Sequence, residues 1–216
     1  MTYKLTRLLK TMYWSFPLEL QLKILLLRRK SFLNTGPIFI HIPKNGGSSF
    51  SSKFYGKNLG HLRAQDIGVT GNVKFAFVRD PLERFVSAHN FLSGGGTDHM
   101  PIRLQNNLIK GRPISYTIEN LHKLYKIDFA LYPQNYWVDA ETVLLPLQSL
   151  DELLGDVTRL NVSNVTYAVE DLTSAQKKKI SEFYTLDIVL FELAQSEKER
   201  NVGKIKSLLA KSSRNL

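Results

Sequence analysis

Apolar residues follow two rhythms along this chain. Three short runs, Ile38 to Ile42 (IFIHI), Val73 to Val78 (VKFAFV) and, more weakly, Val143 to Leu147 (VLLPL), are rich in β-branched and aromatic side chains. Runs of this length predict strands buried on both faces of a parallel sheet. Helical patterns lie between and after them. One covers Ser48 to Tyr55, and another covers Pro81 to Leu92, with Asp80 as N-cap and proline at the first helical position. Ser149-Leu-Asp-Glu152 and Thr173-Ser-Ala-Gln176 have capping-box spacing and predict helices reaching about Leu160 and Tyr184. A last helix is expected from Asp187 into the charged tail. Strands alternating with helices predict an α/β fold, a parallel sheet flanked by helices with right-handed crossovers.

Composition narrows the class. With 43% apolar and 11% aromatic side chains in 216 residues, one domain with an appendage is expected to bury a core. There is no cysteine, which rules out disulfides and thiolate metal sites and favours a reducing compartment. The five histidines, 41, 61, 89, 99 and 122, lack zinc-site spacing, so no metal is expected. No internal repeat or low-complexity segment is present, and no apolar run is long enough to span a bilayer.

The net charge of +10 changes the picture only once it is located. Residues 1 to 30 carry +6 and residues 196 to 216 carry +4, so the middle is neutral. Basic ends around a neutral body give little support to nucleic-acid binding. They favour solvated helix faces over a polyanion or membrane patch. Leu18, Leu22, Leu25 and Leu26 have helical spacing, with Lys4, Arg7, Lys10, Arg28, Arg29 and Lys30 around them. That is the pattern of a basic amphipathic helix able to lie peripherally on a membrane.

The chemistry is expected in the loops that follow the first two strands. In the stretch PKNGGSS, Pro43 stops the strand and Lys44 supplies a cation, followed by Asn45. Gly46 and Gly47 permit a backbone that turns successive N–H groups toward one point, and Ser48 and Ser49 add hydroxyls as the next helix begins. This is a cradle for an oxyanion. A nucleoside-triphosphate loop places its lysine after the glycines, and here it comes before them. The second loop ends a buried strand at Arg79, and Ser87 follows two turns into the helix. Together they offer a second anion site. Two such sites at adjacent strand ends imply one ligand with two separated phosphates. The three glycines of Ser93-Gly-Gly-Gly-Thr-Asp98 read as a connection or a substrate lid.

The two motifs, Pro43 to Ser49 and Arg79 to Ser87, resemble those of sulfotransferases that use 3′-phosphoadenosine-5′-phosphosulfate (PAPS), in the carbohydrate branch that includes the 2-O-sulfotransferases and bacterial relatives. In that family a P-K-T-G-G-T-S-like loop holds the 5′-phosphosulfate and an R-D-P-x-x-R-x-x-S segment holds the 3′-phosphate. Asn45 stands here for threonine, and serines stand for the family's threonine. GHLRAQDI (residues 60 to 67), Tyr132-Pro-Gln134 and the closing helices extend the resemblance over residues 37 to 192. It implies a P-loop-like sulfotransferase domain there, between a basic helical extension (1–36) and a basic C-terminal helix (193–216). It implies PAPS as donor, His61 and Lys44 as catalytic residues, Lys44 to Ser49 with Arg79 and Ser87 on the donor, and Gln134 as an acceptor or sulfate contact. The acceptor it implies is a carbohydrate hydroxyl, and the basic ends would suit an anionic or lipid-linked glycan.

As base, His61 is preferred because imidazole titrates near working pH. Asp66 and Glu83 are fallbacks, His89 and His41 are expected to be structural, and His99 and His122 have no supporting context. Lack of an anchor and of cysteine favours a bacterial cytoplasmic enzyme, peripheral to the inner membrane, over the Golgi lumen of a eukaryote. The sequons at Asn161 and Asn164 matter only in the latter case. A nucleotide-dependent kinase and a noncatalytic polyanion or membrane-surface binder are the competing readings.

Overall fold

The computed structural model of the protein describes residues 12, 16, 17, 20, 23, 24, 27, 36–55, 60–68, 71–96, 108–155 and 167–212. Leu18, Leu22, Leu25 and Leu26 of the expected amphipathic helix, Thr97 to His99, and the sequons at Asn161 and Asn164 fall outside them. Among the described residues, three strands form one sheet in the order β1 (Ile38–Ile40), β2 (Lys74–Val78), β3 (Val143–Pro146). Both pairings are parallel, with Ile40 opposite Ala76 and Val78 opposite Pro146. The fold is α/β: helices connect and flank a parallel sheet. They are α1 (Gly47–Tyr55), α2 (Ala64–Ile67), α3 (Pro81–Ser93), α4 (Ile114–Glu119), α5 (Leu121–Leu124), α6 (Ser149–Leu154), α7 (Ser174–Phe183), α8 (Thr185–Ser196) and α9 (Lys198–Ser212).

The period of two along each strand sorts side chains onto two buried faces. Phe39, Phe75, Phe77 and Leu145 pack on one side with Phe50 of α1 and with Val202, Ile205 and Leu209 of α9. Ile38, Ile40, Ala76, Val78 and Leu144 pack on the other with Ala64, Trp137 and Ala194. Phe39 lies 4.7 Å from Phe50 and 5.4 Å from Phe75 between ring centroids, in tilted pairs. Each such buried ring contributes roughly 1.5–3 kcal/mol. This packing explains why the strands read as continuous apolar runs. A third cluster, built on Phe85, Leu92, Ile118, Leu121 and Ile180, joins α3 to α4, α5 and α7.

The helix signals fared unequally. Asp80 caps α3 as expected, its Oδ1 accepting the N–H groups of Leu82 (2.9 Å) and Glu83 (3.1 Å). Thr173 and Gln176 form the expected reciprocal capping box at the head of α7. Ser149 and Glu152 do not: Ser149 is buried inside the first turn of α6, Gln148 stands at the cap, and Glu152 instead meets Lys198 of α9 at 2.5 Å. The helix also ends at Leu154, before the expected Leu160, where Gly155 takes a φ of 68°. The expected last helix is two, α8 and α9, broken at Glu197. Strand β1 stops at Ile40, so His41 follows it and is not inside it.

Candidate functional site

The carboxyl ends of β1 and β2 lie side by side, and each opens into one of the two loops. Lys44 takes a φ of 69°, alone among the described non-glycine residues in the left-handed region, and Gly46 follows at 71°. A left-handed lysine costs on the order of 1 kcal/mol, which the surrounding loop must hold in place. Gly47 begins α1 directly against the His41 ring: a Cβ there would lie 1.9 Å from His41 Cδ2. A Cβ on Gly46 would likewise lie 2.8 Å from Leu147. The loop is therefore a close-packed backbone cradle at the positive end of a nine-residue helix. Ser48 is exposed and Ser49 half-buried at its rim.

Lys44 reaches across to α3, where its Nζ lies 4.1 Å from the centroid of the Phe91 ring. Its pKa is lowered to about 8, first by burial and then by the like charge of Arg79, with Asp128 acting in the opposite direction. Lys44 and Arg79 thus share one electrostatic environment. The Arg79 Nε donates to Glu83 at 3.0 Å, one turn along α3. Ser87 is half-buried, four residues from both Glu83 and Phe91. Helical spacing puts it on the face that carries the partner of Arg79 and the platform of Lys44.

His61 closes another side. Its Nδ1 lies 2.7 Å from the His41 carbonyl, and its ring packs against His41 (4.1 Å), Phe129 (5.0 Å) and Trp137 (5.8 Å) while remaining half-buried. Burial above all brings its pKa down to about 4; the positive charge of Lys44 adds to this and the His41 carbonyl opposes it. The imidazole is therefore neutral near pH 7 and does not titrate near working pH, contrary to the ground for expecting it as base. A carbonyl only accepts, so the hydrogen sits on Nδ1 and the lone pair on Nε2.

Asn45 and Gln134, expected on the donor and the acceptor, bond in this structure to the two loops. Both are buried. Asn45 Nδ2 donates inward to the Phe77 carbonyl (2.7 Å) and to Gln134 Oε1 (2.6 Å). Gln134 Oε1 also accepts the Arg79 N–H at 3.0 Å, and Gln134 Nε2 donates to the Arg79 carbonyl at 2.9 Å. One glutamine amide thus holds the backbone of the second loop and the asparagine of the first. Gln134 is anchored in turn, since Asp187 accepts its N–H at 2.7 Å and that of Asn135 at 3.1 Å. Arg84 is buried beneath this network, donating to the Tyr132 carbonyl and offsetting the effect of burial on Asp187.

The other candidates are engaged elsewhere. Asp66 is bound by Arg63 through two hydrogen bonds of 2.6 and 2.5 Å. His89 is fully buried, 2.9 Å from Thr117 Oγ1, with its pKa lowered to about 4 by burial. His122 is exposed on α5. Among the described residues, no group of three His, Asp or Glu side chains gathers to hold a metal ion. One residue of the site was not foreseen: Asp128, 2% exposed, lies within electrostatic range of Lys44. Its only sequence signal is an N-cap aspartate before a short 3-10 turn, Phe129–Leu131.

Residues 38–97 match the model of a family described as the sulfotransferase family. The matched span contains the loops after β1 and β2, His61 and α3, and ends before Asp128 and Gln134. No curated protein and no solved structure matches the chain.

Proposed function

We propose that the protein is a sulfotransferase that moves the sulfuryl group of PAPS to a carbohydrate hydroxyl by in-line displacement. The observation that carries this reading is that one oxygen, Gln134 Oε1, accepts from both Asn45, next to Lys44, and the Arg79 N–H, tying together two loops that lie inside the segment matching the family. A donor phosphorylated at both ends suits two cations so placed. The glycine cradle at the head of α1, which a Cβ would fill, suits its 5′-phosphosulfate, and Arg79 with Ser87 suits its 3′-phosphate.

The acceptor oxygen forms a bond to sulfur as the bond from sulfur to the 5′-phosphate oxygen breaks. His61 Nε2 takes the hydroxyl proton, and adenosine 3′,5′-bisphosphate leaves with the bonding electrons. Charge builds on the leaving oxygen, where the Lys44 ammonium stands, while the amides at the head of α1 hold the sulfuryl oxygens. With its hydrogen held on Nδ1 by the His41 carbonyl, His61 already has the tautomer a base requires. The unit for this chemistry is residues 37–192 together with α9, whose Val202, Ile205 and Leu209 pack on the sheet. The basic segments 1–36 and 193–216 suit an anionic or lipid-linked glycan met at the cytoplasmic membrane surface.

Calorimetry with adenosine 3′,5′-bisphosphate and labelled-sulfate transfer to a panel of glycans and lipid-linked precursors test the roles separately. Lys44→Ala and His61→Ala should retain most of the binding and each lose about 10²-fold or more in transfer. Arg79→Ala should weaken binding about 10- to 100-fold through lost charged hydrogen bonds. Normal binding by Arg79→Ala would overturn the 3′-phosphate assignment, and transfer from ATP in place of PAPS would make the protein a kinase.

A further inference from the structure

The ladder between β1 and β2 ends at the pair Ile40 and Ala76, short of Lys44 and Arg79. Past it, two buried side-chain amides carry the connection: Asn45 is 1% exposed and Gln134 is fully enclosed. Asn45 Nδ2 spends both hydrogens, one on the Phe77 carbonyl at 2.7 Å and one on Gln134 Oε1 at 2.6 Å, while Asn45 Oδ1 is enclosed without a hydrogen-bond partner. Gln134 holds Arg79 by its N–H (3.0 Å) and its carbonyl (2.9 Å), as a strand neighbour would. The outer support is Asp187, in the first turn of α8, which accepts the N–H groups of Gln134 and Asn135. An enclosed amide oxygen without a donor is costly, so what Asn45 contributes here is the double donation from its nitrogen. A threonine hydroxyl, which stands at this place in the resembling motif, has one hydrogen and can serve only one of the two oxygens.

We propose that Asn45 and Gln134 are positioning residues that fix the separation of the two loops, so that a nucleoside phosphorylated at both ends is held more tightly than its two halves would predict. This inference rests on the proposed donor and adds to it a source of selectivity. Once one phosphate is seated, binding of the other is intramolecular, and its gain depends on the second site standing at the span of the ligand. Loops already tied together in the folded chain pay no further ordering cost when the ligand arrives. Loops free to part would each still take a single phosphate, but that gain would be lost.

The two amides differ in how safely they can be changed. Gln134→Met would remove three side-chain hydrogen bonds and strand the enclosed Asn45 nitrogen, which puts the fold itself at risk. Asn45→Thr is milder: it leaves Gln134 on Arg79 and Asp187, keeps one donor in the first loop, and cuts the tie between the loops at one point.

The test is calorimetry on the full chain, wild type and Asn45→Thr, with adenosine 3′,5′-bisphosphate, adenosine 3′-monophosphate and adenosine 5′-monophosphate. Affinity of the variant for the bisphosphate should fall about 10-fold, and for each monophosphate less than about two-fold. An equal fall for all three ligands is the mark of a merely structural residue and overturns the inference, as does an unchanged affinity for the bisphosphate. A second measurement needs neither a variant nor a nucleotide. In wild type, the Arg79 amide and the Asn45 carboxamide hydrogens, followed by NMR, should exchange with deuterium at least about 10-fold more slowly than amides in exposed loops. Fast exchange at either place means that the tie is open and sinks the inference. Absence of any wild-type affinity for the bisphosphate sinks the sulfotransferase reading and leaves hydrogen exchange to decide by itself whether the amides bind the loops together.

Discussion

The two ends of the sheet treat a lysine in opposite ways. At the amino end of β2, Lys74 is 4% exposed and its ammonium is in contact with Asp139, with Glu141 at 3.6 Å. Burial opposes ionisation of Asp139, but hydrogen bonds from Lys74 and Thr142 outweigh it and hold that carboxyl below its ordinary value. At the carboxyl end, Lys44 rests on an aromatic face with Arg79 nearby and a carboxylate that acts across a distance. Where charge only has to be packed, the fold cancels it at contact. Where the proposed donor would bind, Lys44 has no carboxylate at contact among the described residues, inside a backbone that is itself strained. Stability and function therefore pull in opposite directions at these two ends.

The largest effect is expected from closing the cradle. In Gly47→Ala the new methyl would sit 1.9 Å from His41 Cδ2 and 2.4 Å from its Nε2. His41 cannot yield alone, because its ring packs at 4.1 Å on His61 and its carbonyl holds the His61 Nδ1. Bisphosphate binding and sulfate transfer should be lost together, with a fall in unfolding free energy of about 1–3 kcal/mol from overpacking. Urea unfolding and calorimetry on the same preparation check this. Unchanged binding would mean that the mouth does not depend on close approach of α1 to His41.

Next in size is a pair of substitutions that the two ends should answer with opposite signs. Lys74→Met leaves Asp139 without its cation, and because Asp139 is a quarter exposed the cost should be about 1–3 kcal/mol, below that of a fully buried broken pair. Bisphosphate affinity should not change. Lys44→Met should be neutral or stabilising at pH 7 while abolishing transfer. Its native pKa lies below the unfolded value, so burying the ammonium costs stability below about pH 8. That cost is relieved as pH rises from about 8 toward 10.5. Equal destabilisation by both substitutions would erase the contrast.

Local signals carried much of this architecture. The strands, the Asp80–Pro81 start of α3, the Thr173 capping box and the loops that follow β1 and β2 are all written within a turn or two of sequence, and each formed in place. What was hidden depends on partners far along the chain. Gln134 bonds to Arg79 across 55 positions and to Asn45 across 89, so no spacing rule separates a buried clamp from an acceptor contact. Ser149 and Glu152 had the right spacing for a cap, but Lys198, brought against α6 by the packing of α9, claims the glutamate. Asp128 gave the signal of an ordinary N-cap; only the folded chain shows its second oxygen enclosed near Lys44.

The smallest expected effect concerns a contact pair at the carboxyl end, Arg79 with Glu83. Glu83 is 45% exposed at the side chain, and the pair spans one helical turn at 3.0 Å. Such a surface pair is worth about 1 kcal/mol or less. If Glu83 merely parks the guanidinium until an anion arrives, it competes with the 3′-phosphate for the same donors. Glu83→Gln keeps the side-chain length and removes the competing charge, so bisphosphate affinity should rise up to about five-fold, the equivalent of about 1 kcal/mol. Adenosine 5′-monophosphate, which has no 3′-phosphate for Arg79, should gain less. Measuring both ligands by calorimetry at low and moderate salt distinguishes this local competition from a general increase in positive potential, which would raise both affinities alike and vanish with screening. A loss of bisphosphate affinity in Glu83→Gln would instead show that the carboxylate aims Arg79, and the pair would then belong with Lys74 and Asp139 as fixed structure.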